Sequence, residues 1–381
     1  MEIYLDNAST TFPKPKVVAD SIYNYLINIG GNANRSNYSN SLESSRCLLN
    51  ARINIANFFN FDKPENVIFT NNITTSLNIL IKGIVNPDDH VISSTMEHNS
   101  VLRPLNELSS LGTQVDFVQA SEQSFISVDD VEKLIRNNTK AIILSHASNV
   151  TGSIQPLKLI GELCKKHNIF FIIDSAQSAG SINVDFKELN ANAIAFTGHK
   201  SLLGPQGIGG FIIDDKLNEI CKPFMSGGTG SLSHSLTQPD FLPDKFECGT
   251  LNMPGIIGLS EAIKYINSIG LSTITESNNF LRNKLYEGLM NIDNVSVYGS
   301  YYDSTTCISF NYSDLDPSEL GFYLDENGIK TRCGLHCAPM AHKSINTFPK
   351  GTVRLSISKF NTLEEIDYTL SVINNIHKNF I

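Results

Sequence analysis

The sequence predicts an α/β protein: a large domain on a mainly parallel sheet with helices on both faces, then a smaller α+β C-terminal domain. Three observations carry this. Between Val67 and Phe211, short apolar runs alternate with longer amphipathic ones, the βα order that builds a parallel sheet. After about Gly255 the texture changes to a long helical stretch followed by shorter strands. The 381 residues are 41% hydrophobic and 18% charged, enough to bury a sizeable core and suited to more than one domain.

The expected strands of the large domain are Val67–Thr70, His90–Ser93, Val115–Val118, Ala141–Ser145, Ile169–Asp174, Ala193–Thr197 and Gly209–Ile213. Helical patterns fall between several of them, at Thr74–Gly83, Ser100–Leu111 and Leu157–His167. Gly112, Gly161 and Gly180 sit near element ends, where turns belong. Further on, helices are expected at Ile256–Ile269 and Ile274–Met290, then strands at Val295–Tyr298, Thr306–Phe310, Ile329–Arg332 and Val353–Ser358. Helix Leu363–Ile376 closes the chain. The large domain is placed at 15–255, and the small one at 256–381 with the N-terminal segment 1–14.

Charge and composition exclude several functions. With 29 basic and 38 acidic residues the net charge is −9, which offers no general attraction to nucleic acid. No apolar run approaches the roughly 20 residues of a membrane span, and the acidic start Met1–Asp6 does not read as a signal peptide. Seven cysteines, an odd number spread along the chain, fit free thiols in a reducing compartment. A cytoplasmic protein that binds neither membrane nor nucleic acid is the expectation.

The chemistry concentrates at a few places. In Ala195–Pro205 a strand ends in Thr197-Gly198-His199-Lys200, followed by a Gly/Pro turn. A lysine held there beside His199 suits a Schiff-base nucleophile of lowered pKa; taken alone, a solvated loop lysine is the stronger reading. The apolar strand Ile169–Asp174 ends in a carboxylate. Ligands of doubly wound sheets bind at the carboxyl ends of strands, so Asp174 and Lys200 should share one crevice. A carboxylate facing a lysine-bound ring with a basic nitrogen is how pyridoxal phosphate is held, whereas an N-cap or a loop ion pair is the plain alternative for Asp174. Asn72-Ile73-Thr74-Thr75 lies where a strand turns into a helix, so its amides and hydroxyls can converge on an anion.

On these and further motifs the chain resembles the class V aminotransferase-fold enzymes, pyridoxal-phosphate-dependent transferases of fold type I. Within them it resembles the cysteine desulfurase and selenocysteine lyase family. The matching pieces run from Tyr4-Leu5-Asp6-Asn7-Ala8 through Glu97-His98, Ser148-Asn149-Val150-Thr151-Gly152 and Asp174-Ser175-Ala176-Gln177. They continue through Gly198-His199-Lys200, Phe246-Glu247-Cys248-Gly249-Thr250 and Arg332-Cys333-Gly334-Leu335-His336-Cys337-Ala338 to Val353-Arg354-Leu355-Ser356.

The resemblance implies that Lys200 carries the cofactor, Asp174 pairs with its ring nitrogen, Gln177 bonds the ring hydroxyl and His98 stacks on the ring. Thr74, Thr75, Thr197 and His199 would hold the phosphate, with Thr250 reaching it from the other subunit of a homodimer. Arg354, helped by Asn149 and Arg332, would take the substrate carboxylate. Cys337 would take sulfur from L-cysteine as a persulfide, releasing L-alanine, and pass it to a thiol or a sulfur-acceptor protein. Selenocysteine lyase shares every one of these residues; aminotransfer and β-elimination would leave Cys337 dispensable.

Attack requires thiolate, and His336 and Arg332 are the neighbours expected to favour it. Cys333, His336, Cys337 and His342 also have the types of metal ligands, but they interleave instead of forming separate knuckles, so no metal is expected. Cys333 departs from the family pattern and reads either as half of a redox pair or as a relay for the sulfur. Two more departures are Ile73, where relatives usually place glycine, and Ala33–Tyr38, which lacks a histidine that many relatives carry near the substrate entrance. The remaining cysteines, Cys47, Cys164, Cys221, Cys248 and Cys307, read as small core residues.

Overall fold

A computed structural model describes residues 2–33 and 38–376. Asn34–Asn37, which carry most of the departure near Tyr38, lie outside the described residues; Tyr38 itself is exposed.

The chain opens with β1 (Ile3–Tyr4), α1 (Lys16–Asn24) and α2 (Ser39–Phe58). The large unit follows as β2 (Val67–Thr70), α3 (Ile73–Ile84), β3 (His90–Ser94), α4 (Asn99–Ser109), β4 (Gln114–Val118) and α5 (Val128–Leu134). It continues with β5 (Thr139–Ser145), α6 (Leu157–His167), β6 (Phe170–Asp174), β7 (Ala193–Thr197), β8 (Gly209–Ile213) and α7 (Asp215–Ile220). Two long helices, α8 (Met253–Ile269) and α9 (Leu271–Met290), lead to β9 (Val295–Tyr298), β10 (Cys307–Tyr312) and α10 (Pro317–Glu326). The last elements are β11 (Ile329–Lys330), β12 (Arg332–Gly334), α11 (Pro339–Ser344), β13 (Thr352–Ser356) and α12 (Leu363–Asn374).

Seven strands form the main sheet in the order β2-β8-β7-β6-β5-β3-β4. All neighbours run parallel except β8, which is antiparallel to both β2 and β7, so the sheet is mainly parallel as expected. Its central strands are apolar on both faces because helices cover both. Phe171, Ile173, Ile194 and Phe196 point into one core with α2, α6 and α8. Ile172, Ala193 and Ala195 point into the other, under α3 and α4. The period of two along each strand thus feeds two cores at once.

A second, antiparallel sheet has the order β12-β13-β10-β9, and β1 pairs in parallel with β11. Leu281, Leu285, Ile308, Phe310, Leu355 and Ile366 centre its core. The border expected after residue 255 falls inside α8, whose Met253, Ile256, Leu259 and Ile263 pack in the first large core. Packing changes hands along α9 instead: Ile274 belongs to that core, and Leu281, Leu285 and Leu289 to the third. Among the described residues no helix is long and apolar enough to cross a membrane.

Candidate active site

Three parallel strands stop side by side to make the floor. Ser145 pairs with Asp174, and Asp174 with Ala195, so β5 and β6 end level and β7 runs two residues further to Thr197. The chain then leaves β7 through Gly198 and His199 to Lys200. This turn is tied down on its backbone: the Thr11 hydroxyl donates to the Lys200 carbonyl at 2.6 Å, and Thr11 N and Lys14 Nζ donate to the His199 carbonyl at 3.0 and 2.6 Å. Gly180 permits a close approach behind it, since a Cβ there would lie 2.3 Å from the Ser201 carbonyl oxygen. Lys200, His98, Asn149, Asp174 and Gln177 line one small inner cavity together with Ile73.

Burial sets the charges. It pulls the Lys200 amine down to about 8, against the opposing pull of Asp174. Burial also raises the Asp174 carboxyl, which the Ala176 amide at 2.9 Å and Lys200 counteract. His98 caps α4, its Nδ1 accepting the Ser100 N–H at 3.0 Å. The proton of the neutral ring therefore sits on Nε2, and burial with the Lys200 and Arg332 charges holds the ring neutral, at about 4.

Donors for an anion lie on the elements that flank this cavity, the end of β7 and the start of α3. Thr197 Oγ1 and His199 Nδ1 are buried without a hydrogen-bond partner, an arrangement that calls for a ligand. The first turn of α3 is already partly capped: Asn72 Oδ1 accepts both the Thr75 N–H at 2.9 Å and the Thr75 hydroxyl at 3.2 Å. Thr75 is thus engaged, whereas Thr74 is exposed at the start of α3. Gln177 donates to the Ala8 carbonyl at 3.1 Å, and Cys307 Sγ lies 4.0 Å from Gln177 Oε1. Thr250 is exposed and lines neither this cavity nor its outer neighbour. Its segment is anchored by Glu247, which pairs with the buried Arg52 and accepts the Phe69 N–H at 2.7 Å.

Two arginines stand opposite each other on β12 and β13, Arg332 against Arg354. Arg354 is 1% exposed. It donates to the Asn149 carbonyl at 2.8 Å, to Asp6 at 3.0 Å and to Ser9 Oγ at 2.9 Å, while its Nε has no partner. Arg332 donates to the same Ser9 hydroxyl at 2.9 Å and reaches Cys337 Sγ at 3.8 Å. The Asn149 amide holds the His336 carbonyl at 2.7 Å.

Cys337 is exposed. It follows His336 in a strained turn in which both residues are left-handed, with φ of 50° and 58°. The Asn99 N–H at the start of α4 donates to the Cys337 carbonyl at 2.7 Å. Behind the turn runs a directional chain. The Arg332 carbonyl can only accept, so His336 Nε2, 3.2 Å away, carries the proton. His336 Nδ1 then accepts from His342 Nε2 at 3.2 Å, and His342 Nδ1 accepts the Thr347 hydroxyl at 2.7 Å.

The structure corrects two sequence readings here. His336 cannot favour the thiolate by charge, because burial and the Arg354 cation push it down to about 2 and keep it neutral; Arg332 is the cation in contact. Cys333 is not placed to trade sulfur with Cys337: alternation along β12 turns it toward α10, where it packs against the third core and a Cβ on Gly321 would meet its sulfur at 2.1 Å. Among the described residues no group of three or more His, Cys, Asp or Glu side chains could hold a metal ion.

Sequence reasoning missed Asp6 and Ser9 as arginine partners, the His342–Thr347 relay, and Glu97 as a buried carboxyl near Asp174. Burial pushes Glu97 up to about 8 despite bonds from Ser94 and Ser145, with Asp174 nearby. Asp6 and Glu97 stood within recognised motifs and could have been singled out; the relay left no signal beyond two histidines six apart.

Comparison with known proteins agrees with this geometry. The family model for aminotransferase class-V matches residues 3–369. A protein of Methanothermobacter thermautotrophicus described as "Probable cysteine desulfurase" is 35% identical over 370 residues, covering 96% of this chain and 92% of its own. One of Borreliella burgdorferi, described in the same words, is 33% identical, covering 96% and 89%. The apo structure of a cysteine desulfurase from Thermococcus onnurineus superposes with a TM-score of 0.94 at 32% identity, covering 100% of this chain and 95% of the other.

Proposed function

The chain belongs to the aminotransferase class-V family, and from that premise we propose that it is a pyridoxal-phosphate-dependent cysteine desulfurase. One observation carries the reading: a lysine amine poised at about 8 beside a buried carboxylate shares the His98 wall with an exposed thiol in contact with a guanidinium.

The residues fit the cofactor. Thr197 Oγ1 and His199 Nδ1, buried and unpartnered, would hold its phosphate with Thr74; Asp174 would pair with its ring nitrogen, Gln177 with its hydroxyl, and His98 would lie on its face. When bound, pyridoxal phosphate supplies an electron sink for the α-carbon of an amino acid. Lys200, half unprotonated by about pH 8, is both nucleophile and the base that moves the α-proton at Nζ. Arg354 Nε and the neighbouring Arg332 would receive the substrate carboxylate. The Cys337 thiolate attacks the sulfur of L-cysteine: the new S–S bond forms, the substrate C–S bond breaks, and the carbon fragment takes up protons and leaves as L-alanine. Cys337 is left as a persulfide, cleared by a thiol or an acceptor protein.

A homodimer in the cytoplasm completes the reading. Thr250 stands exposed on a segment that also exposes Phe224, Met225, Leu236 and Phe241, an apolar surface that suits a subunit contact, and in this family the matching threonine serves the neighbouring phosphate.

The test is product analysis with L-cysteine. Alanine should appear with an equimolar amount of sulfide when a reducing thiol is present, and stop after one turnover without it. Pyruvate in place of alanine would establish β-elimination and overturn the reading.

A further inference from the structure

Outside the thiol lies a second cavity, a cleft of about 270 Å³ between α3 and α4. His98 and Ser100 line both it and the inner cavity, so the capping turn of α4 is the partition, and Cys337 stands on the outer side alone. The space equals roughly nine water volumes, room for a small organic molecule and not for a folded domain.

Its charges are uneven. Glu107 is neutralised by Lys82 at 2.7 Å. Arg103, four residues earlier on the same helix face, is exposed and makes no ion pair among the described residues. Asn78 and Asn99 in the lining can hydrogen-bond but bring no charge, and Thr74 is the residue that would hold the cofactor phosphate. Arg332, the other cation at the thiol, bonds Ser9 and is the residue read above as helping Arg354 with the substrate carboxylate. Among the described residues that line the cleft, Arg103 is thus the charged side chain without an ion pair, and its charge is felt at His98.

We propose that this cleft is the site of the second substrate, a small thiol that carries a carboxylate, with the carboxylate on Arg103 and the sulfur directed at Cys337. The proposal rests on the reading of Cys337 as the sulfur carrier. The acceptor thiolate attacks the outer sulfur of the Cys337 persulfide. A new S–S bond forms in the acceptor persulfide, the old one breaks, and Cys337 departs as thiolate; the proton on the outer sulfur travels with it. No external oxidant or reductant is required.

The test separates loading from unloading. Full-length holoenzyme is loaded with stoichiometric L-cysteine without thiol, and the alanine burst is counted. Unloading is then timed with 3-mercaptopropionate and with neutral 2-mercaptoethanol, in the wild type and in Arg103→Gln. The anionic-to-neutral rate ratio should fall about tenfold in the variant, the size of one charge-assisted contact, with the burst unchanged. An intact burst with the same ratio in both proteins would overturn the cleft assignment while leaving desulfuration standing. A missing burst in the wild type would overturn both, and the absence of alanine marks that case.

Discussion

The lysine end and the thiol end of this site are built by different means. Asp174 and the turn to Lys200 stand on three strands whose ends are fixed by ladder register, in residues buried from both faces. Cys337 hangs on a three-residue strand and two left-handed residues. Backbone amides and a chain of side-chain hydrogen bonds from Thr347 to the Arg332 carbonyl hold it in place. Backbone pairing makes a rigid amine; side-chain pairing makes a thiol whose reactivity depends on each link. That suits a group that must meet substrate on one side and acceptor on the other.

Removing the end groups gives the largest effects and should divide the reaction cleanly. Lys200→Ala should cost about 10³-fold or more in alanine formation while leaving the rate of Cys337 alkylation by iodoacetamide unchanged. Cys337→Ser should abolish persulfide yet leave amino-acid binding intact, read by absorbance of the bound cofactor. Equal loss of both properties in either variant would erase the proposed division.

Next in size is the cation. Arg332→Gln should slow Cys337 alkylation at neutral pH by about 10–100-fold, the worth of a hydrogen bond to a charged group. An unchanged rate would show that the 3.8 Å contact does nothing for the thiolate.

Acid should distinguish the two ends more gently. Burial holds His342 at about 4 and His336 at about 2, whereas both titrate near 6.5 in an unfolded chain. The unfolded state thus binds more protons below pH 6.5, so stability is lost as pH falls from there toward 4, on the order of 2 kcal/mol per histidine by pH 5. Hydrogen exchange in peptides covering 332–347 should accelerate between pH 7 and pH 5, after correction for intrinsic rates, more than in peptides covering 209–213, which hold no titratable side chain. Equal acceleration would mean the relay holds nothing locally.

The smallest effect tests a single link. Thr347→Val removes the proton donated to His342 and should slow alkylation about fivefold, near 1 kcal/mol, while Thr347→Ser restores it. A valine variant that matches the wild type would leave the relay as mere packing.

The same contrast explains what the sequence disclosed. Strands such as Ala193–Thr197 and Gly209–Ile213 were read to the residue because a doubly covered strand is a plain apolar run. Lys200 and Asp174 follow directly from where those runs end. Helix α2 was missed because Ser41 and Ser44 interrupt its buried stripe, and α10 because it is short and little of it is buried. Ile329–Arg332 read as one strand but divides at Thr331, between pairing with β1 and pairing with β13. On the thiol side, residue types were visible and partners were not. Asp6 and Ser9 lie more than 300 positions from the arginines they hold, and no local pattern encodes such a contact. The sequence placed His336 beside Cys337 correctly, but only burial shows it to be neutral.

The central claim is that sulfur passes to Cys337 in a site where Lys200 works on the amino acid. It is tested most directly by mass mapping after one equivalent of L-cysteine is added to the holoenzyme without thiol. The account predicts one added sulfur atom on the peptide bearing Cys337, matched by one alanine released. It also predicts neither product in Cys337→Ser and neither in Lys200→Ala. Sulfur found on Cys333, on Cys307 or on no cysteine while alanine is still released would contradict it.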